Sequence, residues 1–177
     1  MKNKYLLSLI FSISLISCKT VPSYYGVKYE LPYDENATLT EVTPKEMFNM
    51  SCIDMKDSVF LIGGLESCSG CVTAKEDTEK YIFMNHCVIY YIDINNVTFS
   101  ESYDDLTIDF PDTDYYHLYH ASIYVDEVSN PQYALPHPKD ANKNLSLPVM
   151  YFFKYGGVGL KIQDGFVDAL RMYIHVS

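Results

Sequence analysis

VFLIGGLESCSGC, residues 59–71, is the stretch that decides the fold of this 177-residue chain. Its first four residues are apolar and two glycines follow them, a pattern that predicts a short buried strand. Apolar side chains among residues 71–85 then indicate a helix. The cysteines Cys68 and Cys71 therefore stand between a buried strand and the first turn of a helix.

Two cysteines three positions apart, here Cys68 and Cys71, are typical of metal sites, redox centres and structural disulfides. Structural zinc takes four ligands, commonly from two such pairs, whereas Cys52 and Cys87 stand alone and far apart. A purely structural disulfide is less favoured because so short a loop contributes little loop-closure entropy. A helix start favours redox chemistry, since its N–H groups carry about half a positive charge and stabilise a thiolate. The thiolate attacks a disulfide, and Cys71, one turn later, is placed to release the product.

Further elements are predicted on both sides of the cysteine pair. Thr43, Pro44 and Glu46 form a helix start with a capping box. CVIYYIDI, residues 87–94, predicts a second buried strand. The remaining predicted elements are a strand at 149–155, a Gly156-Gly157 hairpin turn, a return strand at 158–163 and a last helix of about ten residues.

The order of these elements resembles the thioredoxin fold, and the resemblance covers residues 43–177. LPVMYFFKYGG, residues 147–157, is similar to the family's cis-proline strand and the turn after it. The resemblance implies an α/β fold, with a central mixed sheet of four to five strands flanked by helices. It also implies that Cys68 is the nucleophile and Cys71 the resolving cysteine of a redox-active disulfide. Pro148 is then expected to lie beside the pair and to position the partner's backbone.

The chain departs from the pattern of the thioredoxin family in three places. Thioredoxins have a buried acidic residue six positions before the first active cysteine, where this chain has Ile62, so an internal proton acceptor is expected to be missing. The tryptophan that usually precedes the pair is replaced by Ser67. Residues 95–147 form an acidic, tyrosine-rich insertion that is longer than a crossover helix requires, and this insertion is expected to border the site.

The N-terminus predicts a secretory signal. Two lysines precede an uncharged segment, residues 5–17, that is too short to span a bilayer as a helix, which takes about 20 residues. The segment ends in Leu-Ile-Ser before Cys18, which resembles the lipobox of bacterial lipoproteins; an ordinary signal peptide with a chance cysteine is the alternative. The resemblance implies a signal peptide at 1–17, a lipid on Cys18 and a tether at 18–42 with one edge strand near 27–31. The protein is then expected in the cell envelope, anchored to a membrane outside the cytoplasm.

Charge argues against nucleic-acid binding. The chain has 23 acidic and 13 basic residues, a formal charge of −10, whereas a phosphate backbone needs a basic face. The stretch from Asp93 to Asp114 holds seven acidic residues and no lysine or arginine. Such a run could hold calcium, but it lacks the spacing of an EF-hand loop. A solvated, negatively charged loop is the simpler interpretation.

Several other residues have both a functional and a simpler interpretation. Cys52 and Cys87 are most simply small buried residues, although a disulfide between them would be possible in an oxidising compartment. His117 and His120 could bind a metal with Asp114, but solvated surface histidines are the simpler interpretation. Four tyrosines could bind a peptide or cover the sheet, and coverage is favoured: Tyr115, Tyr116, Tyr119 and Tyr124.

The function that the resemblance implies is thiol–disulfide exchange with protein thiols and disulfides at the cell envelope. It requires no cofactor and no metal. One alternative is a surface lipoprotein that binds a partner and uses the thioredoxin scaffold with a structural disulfide. Another is an envelope protein that handles copper or zinc with Cys68, Cys71 and a histidine.

Overall fold

A computed structural model describes residues 28–64, 68–99, 113–123, 134–137, 145–154 and 157–177. The strands are β1 (Tyr29–Leu31), β2 (Thr40–Glu41), β3 (Ser58–Gly63), β4 (Tyr90–Asp93), β5 (Val149–Lys154), β6 (Gly157–Ile162) and β7 (Ile174–Val176). The α-helices are α1 (Pro44–Phe48), α2 (Ser69–Asn85), α3 (Asp114–Ile123) and α4 (Phe166–Tyr173). A π-helical turn (Asn49–Ile53) continues α1, and a 3-10 turn (Ile94–Asn96) follows β4.

Five of the strands form one mixed sheet in the order β2-β4-β3-β5-β6. Strands β2, β4 and β3 run parallel, β5 runs antiparallel to β3, and β6 runs antiparallel to β5. The residues of β3 and β5 are all buried, because helices cover both faces of the sheet. The α/β architecture predicted from the sequence, a mixed sheet flanked by helices in the thioredoxin-like arrangement, is confirmed.

Alternating side chains of the central strands divide the interior into two cores. Phe60 and Ile62 of β3 point to one face, where they pack with residues of α1 and α3. Val59 and Leu61 point to the other face, where they pack with residues of α2, α4 and β1. This alternation follows from the two-residue period of a strand, and it places α2, which begins at the cysteine pair, in the second core.

The start of α1 is the capping box that the sequence predicts. The Thr43 side chain accepts a hydrogen bond from the Glu46 backbone N–H at 3.2 Å, and the Thr43 backbone N–H donates to the Glu46 carboxylate at 2.7 Å. Pro44 occupies the first turn, where its missing N–H has no helical partner to lose. The helix is thereby fixed directly after β2.

The folded domain begins earlier than the predicted boundary at residue 43. The edge strand expected near residues 27–31 is found as β1, which pairs in parallel with β7, and both Tyr29 and Leu31 are fully buried. Residues 29–42 therefore belong to the fold and only the earlier part of the predicted tether lies outside the described residues. The sequence did not indicate this because β1 is three residues long and its partner strand lies at the other end of the fold.

Other boundaries shift by a few residues. The second buried strand is shorter than 87–94, since only Tyr90–Asp93 is regular and Cys87 forms an isolated bridge with Tyr33. Residues 114–123, within the predicted insertion, are helical. The last helix has eight residues. The turn at Gly156 and most of the acidic insertion lie outside the described residues, and no helix in the described ranges is long and apolar enough to cross a membrane.

Candidate active site

Cys68 and Cys71 form a disulfide at the start of α2, with their Cα atoms 5.2 Å apart. Cys68 is the N-cap residue of the helix, and its Sγ accepts a hydrogen bond from the Cys71 backbone N–H at 3.2 Å. Its carbonyl oxygen accepts from the N–H groups of Cys71 and Val72. The first sulfur is thus held against the positive end of a 17-residue helix.

The two sulfurs differ in their access to solvent. Cys68 is half-buried and the two residues after it, Ser69 and Gly70, are exposed. Cys71 is only 3% exposed, because it faces the sheet from the first turn of α2. A partner protein can therefore reach Cys68, whereas Cys71 can be reached only from within the protein.

Pro148 lies beside the disulfide, although it is far from the cysteines in the sequence. The Leu147–Pro148 peptide bond is cis. The carbonyl oxygen of Leu147 is 3.9 Å from Cys68 Sγ, and a Cβ placed on Gly70 would lie 3.4 Å from Cδ of Pro148. The structure thus brings together the three residues that the sequence singled out.

A groove of about 560 Å³ runs along the exposed side of the first turn of α2. Pro148 and the first two residues of the helix form one end of it, and the turn between β6 and α4 forms the other. The groove thus adjoins the residues that follow Cys68, although neither cysteine lines it.

A second wall of the site, behind Cys71, was missed in the sequence. A Cβ placed on Gly63 would lie 3.4 Å from Cβ of Cys71 and 3.6 Å from the Tyr91 hydroxyl oxygen. Gly64 has a φ of +113°, and a Cβ on it would collide with the carboxylate of Asp93. The glycine pair thus permits Tyr91 and Asp93 to approach the disulfide. The only sequence signal for this wall was the glycine pair, which indicated no more than the end of a strand.

Cys52 and Cys87 are free thiols, and the disulfide considered between them does not form. Cys52 belongs to the core beneath α1 and α3, whereas Cys87 belongs to the core on the opposite face of the sheet. Burial raises the pKa of Cys52, and a hydrogen bond with Ser51 offsets part of that rise. Burial also raises the pKa of Cys87 to about 11. Both therefore remain protonated, unreactive thiols at neutral pH.

The histidines and tyrosines of α3 pack within the protein. His117 makes an edge contact with the ring of Phe48, and the ring of His120 lies 4.1 Å from that of Tyr116. Burial and the nearby His117 lower the pKa of His120. Asp114 accepts hydrogen bonds from Thr98. In the ranges that the structure describes, no group of three or more His, Cys, Asp or Glu side chains is arranged to hold a metal ion.

Tyr115 supports the interpretation that the insertion covers the sheet. Its side chain is fully buried, its ring stacks on Phe99, and its hydroxyl donates a hydrogen bond to the carbonyl of Pro136. Tyr116 and Tyr119 are partly buried on the same helix. Tyr124 lies outside the described residues.

No protein-family model matches the chain, and no curated protein matches it. Among solved structures, the chain is similar to thioredoxin O2 from Arabidopsis thaliana in its oxidised state. The sequence identity is 13% and the TM-score 0.41, over 78% of this chain and 92% of that chain. The thioredoxin-like fold and the Cys68–Cys71 disulfide at the start of a helix fit a redox function.

Proposed function

We propose that the protein is a thiol–disulfide oxidoreductase that exchanges disulfides with other proteins through Cys68 and Cys71. The observation that carries this proposal is the disulfide itself, placed at the N-terminus of α2 with one half-buried and one buried sulfur. A disulfide that served only to hold the fold would need neither the helix N-terminus nor the adjoining groove.

The exchange needs only the two sulfurs. In the reduced protein, the Cys68 thiolate is stabilised by the Cys71 N–H and by the helix, and it attacks one sulfur of a partner disulfide. A bond forms between Cys68 and that sulfur, and the other partner sulfur leaves as a thiolate. Cys71 then attacks Cys68, which restores the Cys68–Cys71 disulfide and releases the second partner thiol. The partner gains two electrons, and another dithiol protein returns the pair to the reduced form.

Pro148 fits the role of a positioning residue for the partner. Its ring carries no backbone N–H, so it directs no hydrogen-bond donor toward the sulfurs. The carbonyl of the preceding residue, Leu147, lies 3.9 Å from Cys68 Sγ. A backbone segment of the partner that pairs along this turn would bring its own sulfur to Cys68.

Catalysis of insulin reduction tests the proposal. We expect the protein to accelerate the reduction of insulin by dithiothreitol at least about tenfold over the uncatalysed reaction, measured as turbidity. The matched control is the double variant Cys52→Ala/Cys87→Ala, which keeps the Cys68–Cys71 pair and Cys18 and should retain the acceleration. An unaccelerated reaction, with the Cys68–Cys71 disulfide intact in dithiothreitol, would favour the alternative, a binding module with a structural disulfide.

The proposed place of action is the cell envelope, with a lipid on Cys18 as the anchor. This place would supply the partners that the chemistry needs, since protein disulfides form and persist in oxidising compartments. In bacteria that express the chain, a palmitate analogue should label the wild-type protein and the Cys52→Ala variant, but not Cys18→Ser. Equal labelling of Cys18→Ser would contradict a lipid at this position.

A further inference from the structure

The resolving step of the proposed exchange raises a chemical requirement at Cys71. A thiol must lose its proton before it attacks, and the ordinary pKa of a cysteine, about 8.5, leaves most thiols protonated at neutral pH. Cys71 is 3% exposed, so bulk water has little access to it. Strand β3, which lies behind Cys71, has no acidic residue, and Ile62 belongs to the opposite core.

The Tyr91 hydroxyl is a polar group that lies near the inner side of Cys71. Gly63 separates the two side chains: its Cβ position is 3.4 Å from Cβ of Cys71 and 3.6 Å from the Tyr91 oxygen. Because glycine has only a hydrogen atom at this position, the side chains of Cys71 and Tyr91 can approach each other across it. Tyr91 is itself 4% exposed and belongs to the core beneath α2.

Asp93 lies on the other side of the same hydroxyl. A Cβ on Gly64 would be 3.0 Å from the Tyr91 oxygen and 2.7 Å from Cγ of Asp93. Strand register fixes this arrangement, since Asp93 pairs with Gly63 across β3 and β4. The Asp93 carboxylate also accepts a hydrogen bond from the Asn95 N–H at 2.9 Å, which holds it in place after β4.

We propose that Tyr91 and Asp93 form a relay that removes the proton from Cys71 during the resolving step. This inference rests on the proposed function and deepens it, because it names the groups that control Cys71. The Tyr91 hydroxyl accepts the thiol proton while it passes its own proton to the Asp93 carboxylate. The Cys71 thiolate then attacks Cys68 Sγ, the Cys71–Cys68 bond forms, and the partner sulfur leaves with the electron pair. Asp93 afterwards releases the proton to solvent.

The charges around Tyr91 agree with a relay. Burial, together with the carboxylates of Asp93 and Glu41, raises the pKa of Tyr91 to about 12. The hydroxyl therefore stays protonated at neutral pH and conducts a proton rather than acting as the base. The ammonium of Lys75 lies over the Tyr91 ring, 4.7 Å from its centroid, and balances part of this negative charge.

A two-phase reaction separates the nucleophilic step from the resolving step. Reduced Cys18→Ser/Cys52→Ala/Cys87→Ala protein, whose remaining cysteines are Cys68 and Cys71, is mixed with dithionitrobenzoate in a stopped-flow instrument. The first release of thionitrobenzoate, which depends on reagent concentration, reports attack by Cys68. The second release does not depend on concentration, and it reports attack by Cys71 on the mixed disulfide.

We expect Asp93→Asn and Tyr91→Phe, made in that background, to slow the second phase at least about tenfold at pH 7 and to leave the first phase within about twofold. The matched control for Asp93→Asn is Asp34→Asn, because each aspartate accepts a hydrogen bond at 2.9 Å from the backbone N–H two residues later. The matched control for Tyr91→Phe is Tyr81→Phe, because Tyr81 is also a buried tyrosine and its hydroxyl donates a hydrogen bond to the Leu170 carbonyl. Both controls should leave the two phases unchanged.

The sign of the Asp93→Asn effect decides between a relay and a simple charge effect. A carboxylate that acted only by its charge would disfavour the Cys71 thiolate, so removing it would speed the second phase. An unchanged or faster second phase, with a normal first phase, overturns the relay and leaves the proposed function standing. If the parent protein shows no first phase, both are overturned.

The parent protein supplies a test that needs no substitution in the relay. With a carboxylate of the protein as the base, the second phase should change less than about threefold between pH 8 and pH 6, because the step does not depend on thiolate formed beforehand in solvent. Dependence on preformed thiolate alone would lower the rate constant tenfold for each pH unit below the pKa of the thiol. That steep dependence would overturn the relay even if the Asp93 and Tyr91 variants failed to fold.

Discussion

Replacing Cys71 with serine is expected to stop turnover and to leave partner proteins joined to Cys68 by a stable mixed disulfide. The serine side chain is close in size to that of cysteine, and the backbone N–H of residue 71, which donates to Cys68 Sγ at 3.2 Å, is retained. The Cys68 thiolate therefore keeps this stabilising hydrogen bond and can still attack a partner disulfide. The mixed disulfide persists because the only sulfur positioned to resolve it is gone.

The effect of Cys71→Ser on turnover should be large. We expect insulin reduction to fall at least about 10³-fold, since the covalent intermediate can no longer collapse within the protein. Adducts should appear on non-reducing gels of envelope extracts, disappear with dithiothreitol, and carry the partner on Cys68 by mass spectrometry.

The matched control for trapping is Cys68→Ser, which removes the attacking sulfur and keeps Cys71. It should lose turnover equally but form no adducts, because Cys71 is 3% exposed and out of reach of a partner. Adducts of equal amount in Cys68→Ser would show that the order of the two cysteines is reversed. Adducts carried on Cys52 or Cys87 would contradict the assignment of the site.

Replacing Asp57 with alanine is expected to destabilise the protein by about 3 kcal/mol. The Asp57 carboxylate lies 2.7 Å from the Lys154 ammonium, and their side chains are only 14% and 9% exposed. Lys154 also donates to the carbonyl of Lys28 at 2.9 Å, and the Glu30 N–H donates to Asp57. Removing the carboxylate breaks its ion pair with the buried ammonium and its hydrogen bond with Glu30, which loosens β1 from the sheet.

Urea unfolding followed by circular dichroism measures this loss. Asp54→Ala is the matched control, because Asp54 forms an exposed pair with Lys56 at 3.6 Å, and such pairs contribute about 0–1 kcal/mol. Adding Lys154→Met to Asp57→Ala should recover most of the stability, since the buried ammonium is then removed together with the carboxylate. A loss below about 1 kcal/mol in Asp57→Ala would show that the pair does not stabilise the fold.

The sequence predicted those parts of the fold whose causes lie within a few residues. The capping box at Thr43 is a local pattern, as is the cysteine pair at a helix start. The resemblance then implied where Pro148 would lie. A strand near β1 was predicted, but its pairing with β7 and the Lys154–Asp57 pair escaped prediction because they depend on contacts between distant parts of the chain. Three extended residues do not indicate which strand they pair with.

The same reason explains which part of the site was missed. CVIYYIDI predicts a buried strand, but the sequence does not contain the register of β4 against β3. That register pairs Leu61 with Tyr91 and Gly63 with Asp93. The prediction that an internal proton acceptor is missing considered only the residue at position 62, whereas the proposed relay comes from the neighbouring strand.

The pairing of β1 with β7 makes the two ends of the described fold one cooperative unit. Tyr29 pairs with Ile174 and Leu31 with Val176, and the Ser177 N–H donates to the Leu31 carbonyl at 3.2 Å. Ends of a domain usually fray separately. Here neither end can open without releasing the other, so the amide protons of both strands are protected by the same opening event, and a protease that trims one end uncovers the other.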